Sequence, residues 1–123
     1  MRKVRCLMVT GLVALYVTMS LMNPLRRPVS HIRKNILELT PIGTNIAEVT
    51  RAIEDNANWR TMYKQMDRGY SIPSYPPGSN IVGSKHIVVD LGKSSLIWYV
   101  RSYWGFDEND ILVDVYVTKG TTN

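Results

Sequence analysis

The chain's 123 residues leave room for one domain, and its single cysteine, Cys6, excludes an intrachain disulfide and a cysteine-built zinc site. The net charge of +5 suggests a nucleic-acid partner until it is mapped: seven of the 15 basic residues flank an apolar run, and from Asn35 onward eight basic residues stand against all ten acidic ones, a net of −2. A phosphate-tracking patch is therefore not expected on the part that folds, and nucleic acid is excluded as an expected partner.

The first element is Cys6 to Met22, "CLMVTGLVALYVTMSLM", 17 residues without a charge. As a helix it reaches roughly 25 Å at about 1.5 Å per residue. That is close to the ~30 Å of a bilayer core, so residues 1–25 read as a membrane anchor or signal segment. A buried helix of a soluble domain would need a core able to surround it, which a chain this small lacks. A cleaved signal needs a shorter apolar run and a small-x-small site. Thr18-Met19-Ser20 is a poor one, which favours a retained, single-pass anchor. Cys6 precedes the run, against a lipoprotein, whose modified cysteine follows it. Basic residues flank both ends in similar number, so the positive-inside rule does not settle orientation. The early start of the run points to an exported, extracytoplasmic domain. A cysteine-free domain suits the bacterial cell envelope.

Residues 26–38 form a basic juxtamembrane linker or a short helix. Pro24 and Pro28 break any continuing helix, and Arg26, Arg27, Arg33 and Lys34 suit anionic headgroups. Ser30 is a candidate cap, with Ile32, Ile36, Leu37 and Leu39 on one side.

A small α+β domain is expected over 39–119, with a tail at 120–123. It opens on "LTPIGTNIAEVTRAIEDNANW". Pro41 stops the preceding segment, Gly43 permits an unusual backbone angle, and Asn45 is an N-cap with Glu48 three residues on. Ile46, Val49, Ala52 and Ile53 then recur at helical spacing, and Trp59 is expected to fold back as a lid on the core. Met66 to Ser84, rich in Gly, Pro and Ser, reads as a long loop. Three alternating segments follow: "KHIVVDL", "LIWYVRSYWGF" and "ILVDVYVTK". Short polar turns join them, so they read as a three-stranded antiparallel meander. The expected fold is an N-terminal membrane helix followed by one or two helices packed on that meander.

This order, with Gly43-Thr44-Asn45 leading into Glu48-Val49, resembles the small domain of the SmpA/OmlA (BamE-like) lipoproteins, over about Leu39 to Lys119. The segment Trp104-Gly105-Phe106-Asp107 through Leu112-Val113-Asp114-Val115 also looks like the final hairpin of small uncharacterised secreted bacterial proteins. The lipid-attachment motif is missing, and Asn56-Ala57-Asn58-Trp59 stands where the family has Gly-x-Pro. The resemblance implies a scaffold that binds proteins or wall components, and it carries no catalytic residue across.

The residues themselves offer little chemistry. His31 and His86 are the only histidines, His86 is expected to face solvent from a strand, and the order Asp107-Glu108-Asn109-Asp110 lacks the glycine and glutamate of a calcium loop. No catalytic residue, metal or cofactor is expected, and the chain does not read as an enzyme. The expected function is a membrane-tethered extracytoplasmic interaction module, held in the membrane by residues 6–22, with a protein or envelope component as partner. The alternative is a small envelope hydrolase or an enzyme-inhibitor-type protein, which a pocket joining His86 to carboxylates would favour. Candidate binding residues are Tyr99, Arg101 and Tyr103, expected on the open face of the sheet opposite Trp98, Val100 and Trp104, with Tyr70 and Tyr75 from the long loop.

Overall fold

The computed structural model describes residues 23–73 and 80–121. The apolar run at 6–22 and Tyr75 lie outside them. Among the described residues no helix is long and apolar enough to cross a membrane.

A 3-10 turn, Pro24–Arg26, precedes helix α1, Val29–Leu39, and helix α2, Ile46–Asp55. Six strands follow: β1 Arg60–Gln65, β2 Tyr70–Ser71, β3 Ile81–Val82, β4 Lys85–Lys93, β5 Trp98–Phe106 and β6 Leu112–Thr121. Strands β1, β4, β5 and β6 make one antiparallel sheet in the order β1-β4-β5-β6, and β2 and β3 pair as a separate two-stranded ribbon.

The turn into α2 is built as its residues dictate. Gly43 takes φ +98°, a backbone angle that a side chain resists. The Asn45 side chain accepts from the Ala47 N–H at 2.9 Å, satisfying one of the free amides at the helix start. The turn is pinned to the sheet by Gly43 N–H on the Leu112 carbonyl and Leu112 N–H on the Thr44 carbonyl. The apolar stripes of both helices then meet one face of the sheet. Ile32, Ile36, Val49 and Ile53 pack with Ile87, Val89, Leu91, Val100, Trp104, Phe106, Leu112, Val115 and Val117. Trp59 covers this core edge-on to Trp104, with ring centroids 6.2 Å apart. The buried Ser102 among these apolar groups is satisfied: its Oγ accepts from Trp104 Nε1 at 2.8 Å and donates to the Val89 carbonyl.

Three expectations are corrected. The fold is not helices on a three-stranded meander but two helices on a four-stranded sheet with a second, two-stranded sheet. The added strand, β1, joins the edge beside β4, and its residues are almost all exposed, so "RTMYKQ" has no apolar alternation to announce it. Next, the segment from Met66 to Ser84 is not simply a loop, because it carries the β2–β3 ribbon. Last, α1 belongs to the folded unit: Ile32 and Ile36 are buried in the core, so the domain begins before Leu39. Arg33 ties α1 to the edge of β6, donating to the Val115 carbonyl at 2.8 Å and pairing with Asp114. Strand β6 runs on to Thr121.

Candidate functional site

The second face of the four-stranded sheet carries the candidate site. The strand pairings lay its side chains out in rows. Gln65, His86, Gly105 and Asp114 form one row, and Tyr63, Val88, Tyr103 and Tyr116 the next. Arg60, Asp90, Arg101 and Thr118 form a third, and Tyr99 lies beyond them, opposite Gly120. The described helices cover only the other face, and among the described residues this one is left to the β2–β3 ribbon.

The β2–β3 ribbon covers the first row. Tyr70, only 2% exposed, lies over Gly105, and a Cβ on that glycine would stand 2.9 Å from Tyr70 Cε1. Gly105 is thus the gap in the sheet that receives the tyrosine ring. Around Tyr70 stand His86, Tyr103 and Tyr116, with centroids 6.0–6.4 Å from its own. Burial pushes the Tyr70 hydroxyl well above the ordinary tyrosine range, and the nearby Asp114 carboxylate adds to the rise. Its Oη has no hydrogen-bond partner among the described residues.

His86 is not the solvent-facing residue expected. It is 4% exposed, wedged between Tyr63 and Tyr70, with Nδ1 2.7 Å from the Arg68 carbonyl oxygen. The ribbon buries it, and the ribbon's two-residue strands give no periodic signal. No group of His, Cys, Asp and Glu among the described residues is placed to hold a metal ion. The turn from Asp107 to Asp110 closes as a hairpin instead, the Asp107 carboxylate accepting from the Asn109 and Ile111 N–H groups, while Asp110 takes φ +63° and pairs with Lys85.

Beyond the ribbon the face opens. Tyr63 is exposed, and Tyr99, Arg101, Tyr103 and Tyr116 are half-buried. The Arg101 guanidinium lies over the Tyr99 ring, 4.7 Å from its centroid. Its Nε is buried and has no hydrogen-bond partner among the described residues. Asp90, directly across on β4, does not supply one: its carboxylate accepts from the Gly92 N–H at 2.9 Å and meets Arg60 at 3.4 Å. The candidate residues therefore divide. Tyr99 and Arg101 make a stacked pair on the open part. Tyr103 bridges from it to the ribbon through Tyr70, and Tyr70 is an internal packing residue. Sequence reasoning missed Tyr116 and Tyr63. Tyr116 alternates with Val115 and Val117 in β6, so its face was readable once Tyr103 was placed; Tyr63 lies on the unforeseen β1.

The hollows on the helix side have other linings. One of about 550 Å³ runs along α2 between Glu48, Arg51 and Asn56, and an apolar one of about 180 Å³ lies between Leu25, Ile36, Trp59 and Leu91. Neither includes His86. No protein-family model matches the chain, and neither a curated protein nor a solved structure matches it.

Proposed function

We propose that the chain is a membrane-tethered interaction module of the cell envelope that docks a protein partner on the open part of the second sheet face. The observation that carries this reading is the Tyr99–Arg101 pair. The half-buried guanidinium stacks on Tyr99 and has no ion-pair partner among the described residues, so a partner carboxylate meeting its terminal nitrogens would gain a charge-assisted bond. Tyr and Arg are also the side chains that most often dominate binding energy at interfaces, because they offer large area with a polar end. Here Tyr63, Tyr103 and Tyr116 extend that surface around Arg101. The uncharged length of Cys6–Met22 supports the tether. The resemblance to SmpA/OmlA-like domains points to the same class of role, binding of envelope proteins.

A photo-crosslinking residue at position 99 of the full chain, in native membranes, tests the reading. It should give a discrete adduct that is lost with Arg101→Gln, while the same probe at Arg51 on α2 should give none. An adduct that survives Arg101→Gln, or one that forms equally from position 51, moves the partner off this face.

A further inference from the structure

The end of the sheet where the N-terminal segment joins has a composition of its own. Three stretches meet there: the entry at 23–27, the β4–β5 hairpin tip at 93–98 and the last residues of β6. Asn23 Nδ2 donates to the Lys93 carbonyl at 3.1 Å, Arg26 Nε to the Ser94 carbonyl at 3.3 Å, and Lys119 Nζ to the Arg27 carbonyl at 2.8 Å. The hairpin tip is closed by Ser94 N–H on the Trp98 carbonyl at 2.9 Å. It therefore sits braced beside the point where the chain leads back to the apolar run.

What that tip displays is apolar. Leu96 is 82% exposed, with Ile97 and Trp98 at 56% and 43%. Arg26 and Lys119 line one hollow with Trp98, Arg27 meets Lys119 through its carbonyl, and Lys93 opens the tip, while the next carboxylate along β4, Asp90, is engaged by the Gly92 N–H and Arg60. An aliphatic and indole tip flanked by basic side chains matches an anionic lipid surface: the apolar side chains enter the boundary between headgroups and acyl chains, and the cations stay among the phosphates.

We infer that the β4–β5 hairpin tip is a second lipid contact, inserting Leu96 and Trp98 into an anionic leaflet next to the chain's entry. This orients the sheet end-on to the membrane and leaves its second face turned sideways, accessible to a partner. The inference draws on the tether reading for proximity to the bilayer, but its chemistry stands apart from it. Each basic side chain near an anionic surface strengthens such a contact roughly fivefold.

The test uses the full chain with Cys6→Ser and either Leu96→Cys or Glu108→Cys carrying an environment-sensitive dye, both substitutions being at exposed positions. Vesicles are of phosphatidylcholine, alone or mixed with phosphatidylglycerol. The dye at 96 should turn blue-shifted and shielded from aqueous iodide when phosphatidylglycerol is present, the dye at 108, at the far end of the sheet, should remain open to iodide, and Lys93→Gln with Lys119→Gln should return the first to the second. Retention of the chain on vesicles through an alkaline wash reads the tether separately. A chain that is retained with both dyes equally open overturns the hairpin contact and leaves the tether. A chain lost at alkaline pH but bound at neutral pH with the 96 dye shielded removes the tether and upholds the contact. A chain bound under neither condition overturns both.

Discussion

The two faces of the one sheet solve burial in different ways. On the helix side, Ile87, Val89, Val100, Trp104, Val115 and Val117 are essentially inaccessible, because two helices supply a continuous apolar cover. On the other side a ribbon of two short strands covers the row at His86 and Gly105, Val88 is buried among the tyrosines of the next row, and the rest is left to tyrosines and polar or charged side chains such as Arg101, Asp90 and Thr118. Tyrosine suits that position, since its ring packs while its hydroxyl stays wet. The lesson is that one face holds the domain together and the other can be changed with less risk to the fold, which is the condition for a binding surface.

The largest expected effect is the loss of the helix-side tryptophan. Trp104→Ala should cost about 3–5 kcal/mol, because the cavity sits beneath Trp59 in the centre of the core. Tyr103→Ala, the neighbouring residue on the opposite face, should cost less than half as much. Urea unfolding of both variants reads the ratio. Equal costs would mean that the two faces are equally sealed.

The ribbon is the next point at which the contrast can be broken. Gly105→Ala places a Cβ 2.9 Å from the Tyr70 ring and 3.2 Å from the Val82 carbonyl oxygen, so the ribbon has to move. The cost should be about 1–3 kcal/mol. It should appear as loss of hydrogen-exchange protection at the Ile72 N–H, which bonds the Asn80 carbonyl across the ribbon, with the β4–β6 amides unchanged. If the strand amides lose protection together with Ile72, the ribbon is part of the core and not a cover laid over it.

The helix-side face depends on a turn that sets α2. Gly43→Val forces a β-branched side chain to φ +98° and should cost about 1–3 kcal/mol, although nothing stands near the added Cβ. Asn45→Ala should cost about 1 kcal/mol through the lost cap. Thermal midpoints measure both. An unchanged midpoint for the glycine variant would show that α2 is positioned by packing alone.

These turn residues, α2 and the order β4, β5, β6 were legible because each has a local cause: a special backbone angle, a capping side chain, a period of 3.6 or 2. Trp59 was legible as a lid because it ends an amphipathic helix. What escaped has no local cause. Strand β1 is held by pairing to β4 and shows only polar or exposed side chains, so pairing, not pattern, defines it. The burial of His86 and Tyr70 comes from the ribbon folding over the sheet from a stretch of Gly, Pro and Ser. Trp98 shares the helix-side alternation of Val100 and Trp104 but is half exposed, because it lies at the sheet's end, beside Arg26 and Lys119. Of the candidate site, the strand alternation placed Tyr99, Arg101 and Tyr103 on one face. That Arg101 would lie stacked and unpaired was not readable, since Asp90, its partner across the strands, is engaged elsewhere.

The smallest expected effect tests whether the covered part of the second face is dry. Tyr70 Oη is buried and has no partner among the described residues, so Tyr70→Phe removes a group that gains no hydrogen bond from them while keeping the ring over Gly105. Near neutral pH the variant should be unchanged or more stable by about 1 kcal/mol. Alkaline pH separates the two proteins further. In the unfolded chain the hydroxyl ionises near pH ~10, whereas in the folded chain burial, with Asp114, holds it protonated to higher pH. A group whose folded pKa is raised contributes stability fully below the unfolded value and loses it above, because the unfolded state gives up its proton first. The parent protein should therefore lose stability above pH ~10 by an amount that Tyr70→Phe retains, and the gap between their urea midpoints should widen with pH. Midpoints that run parallel through the alkaline range would mean that the hydroxyl ionises alike in both states. The ribbon would then admit water to the row it covers, and the second face would be open along its whole length.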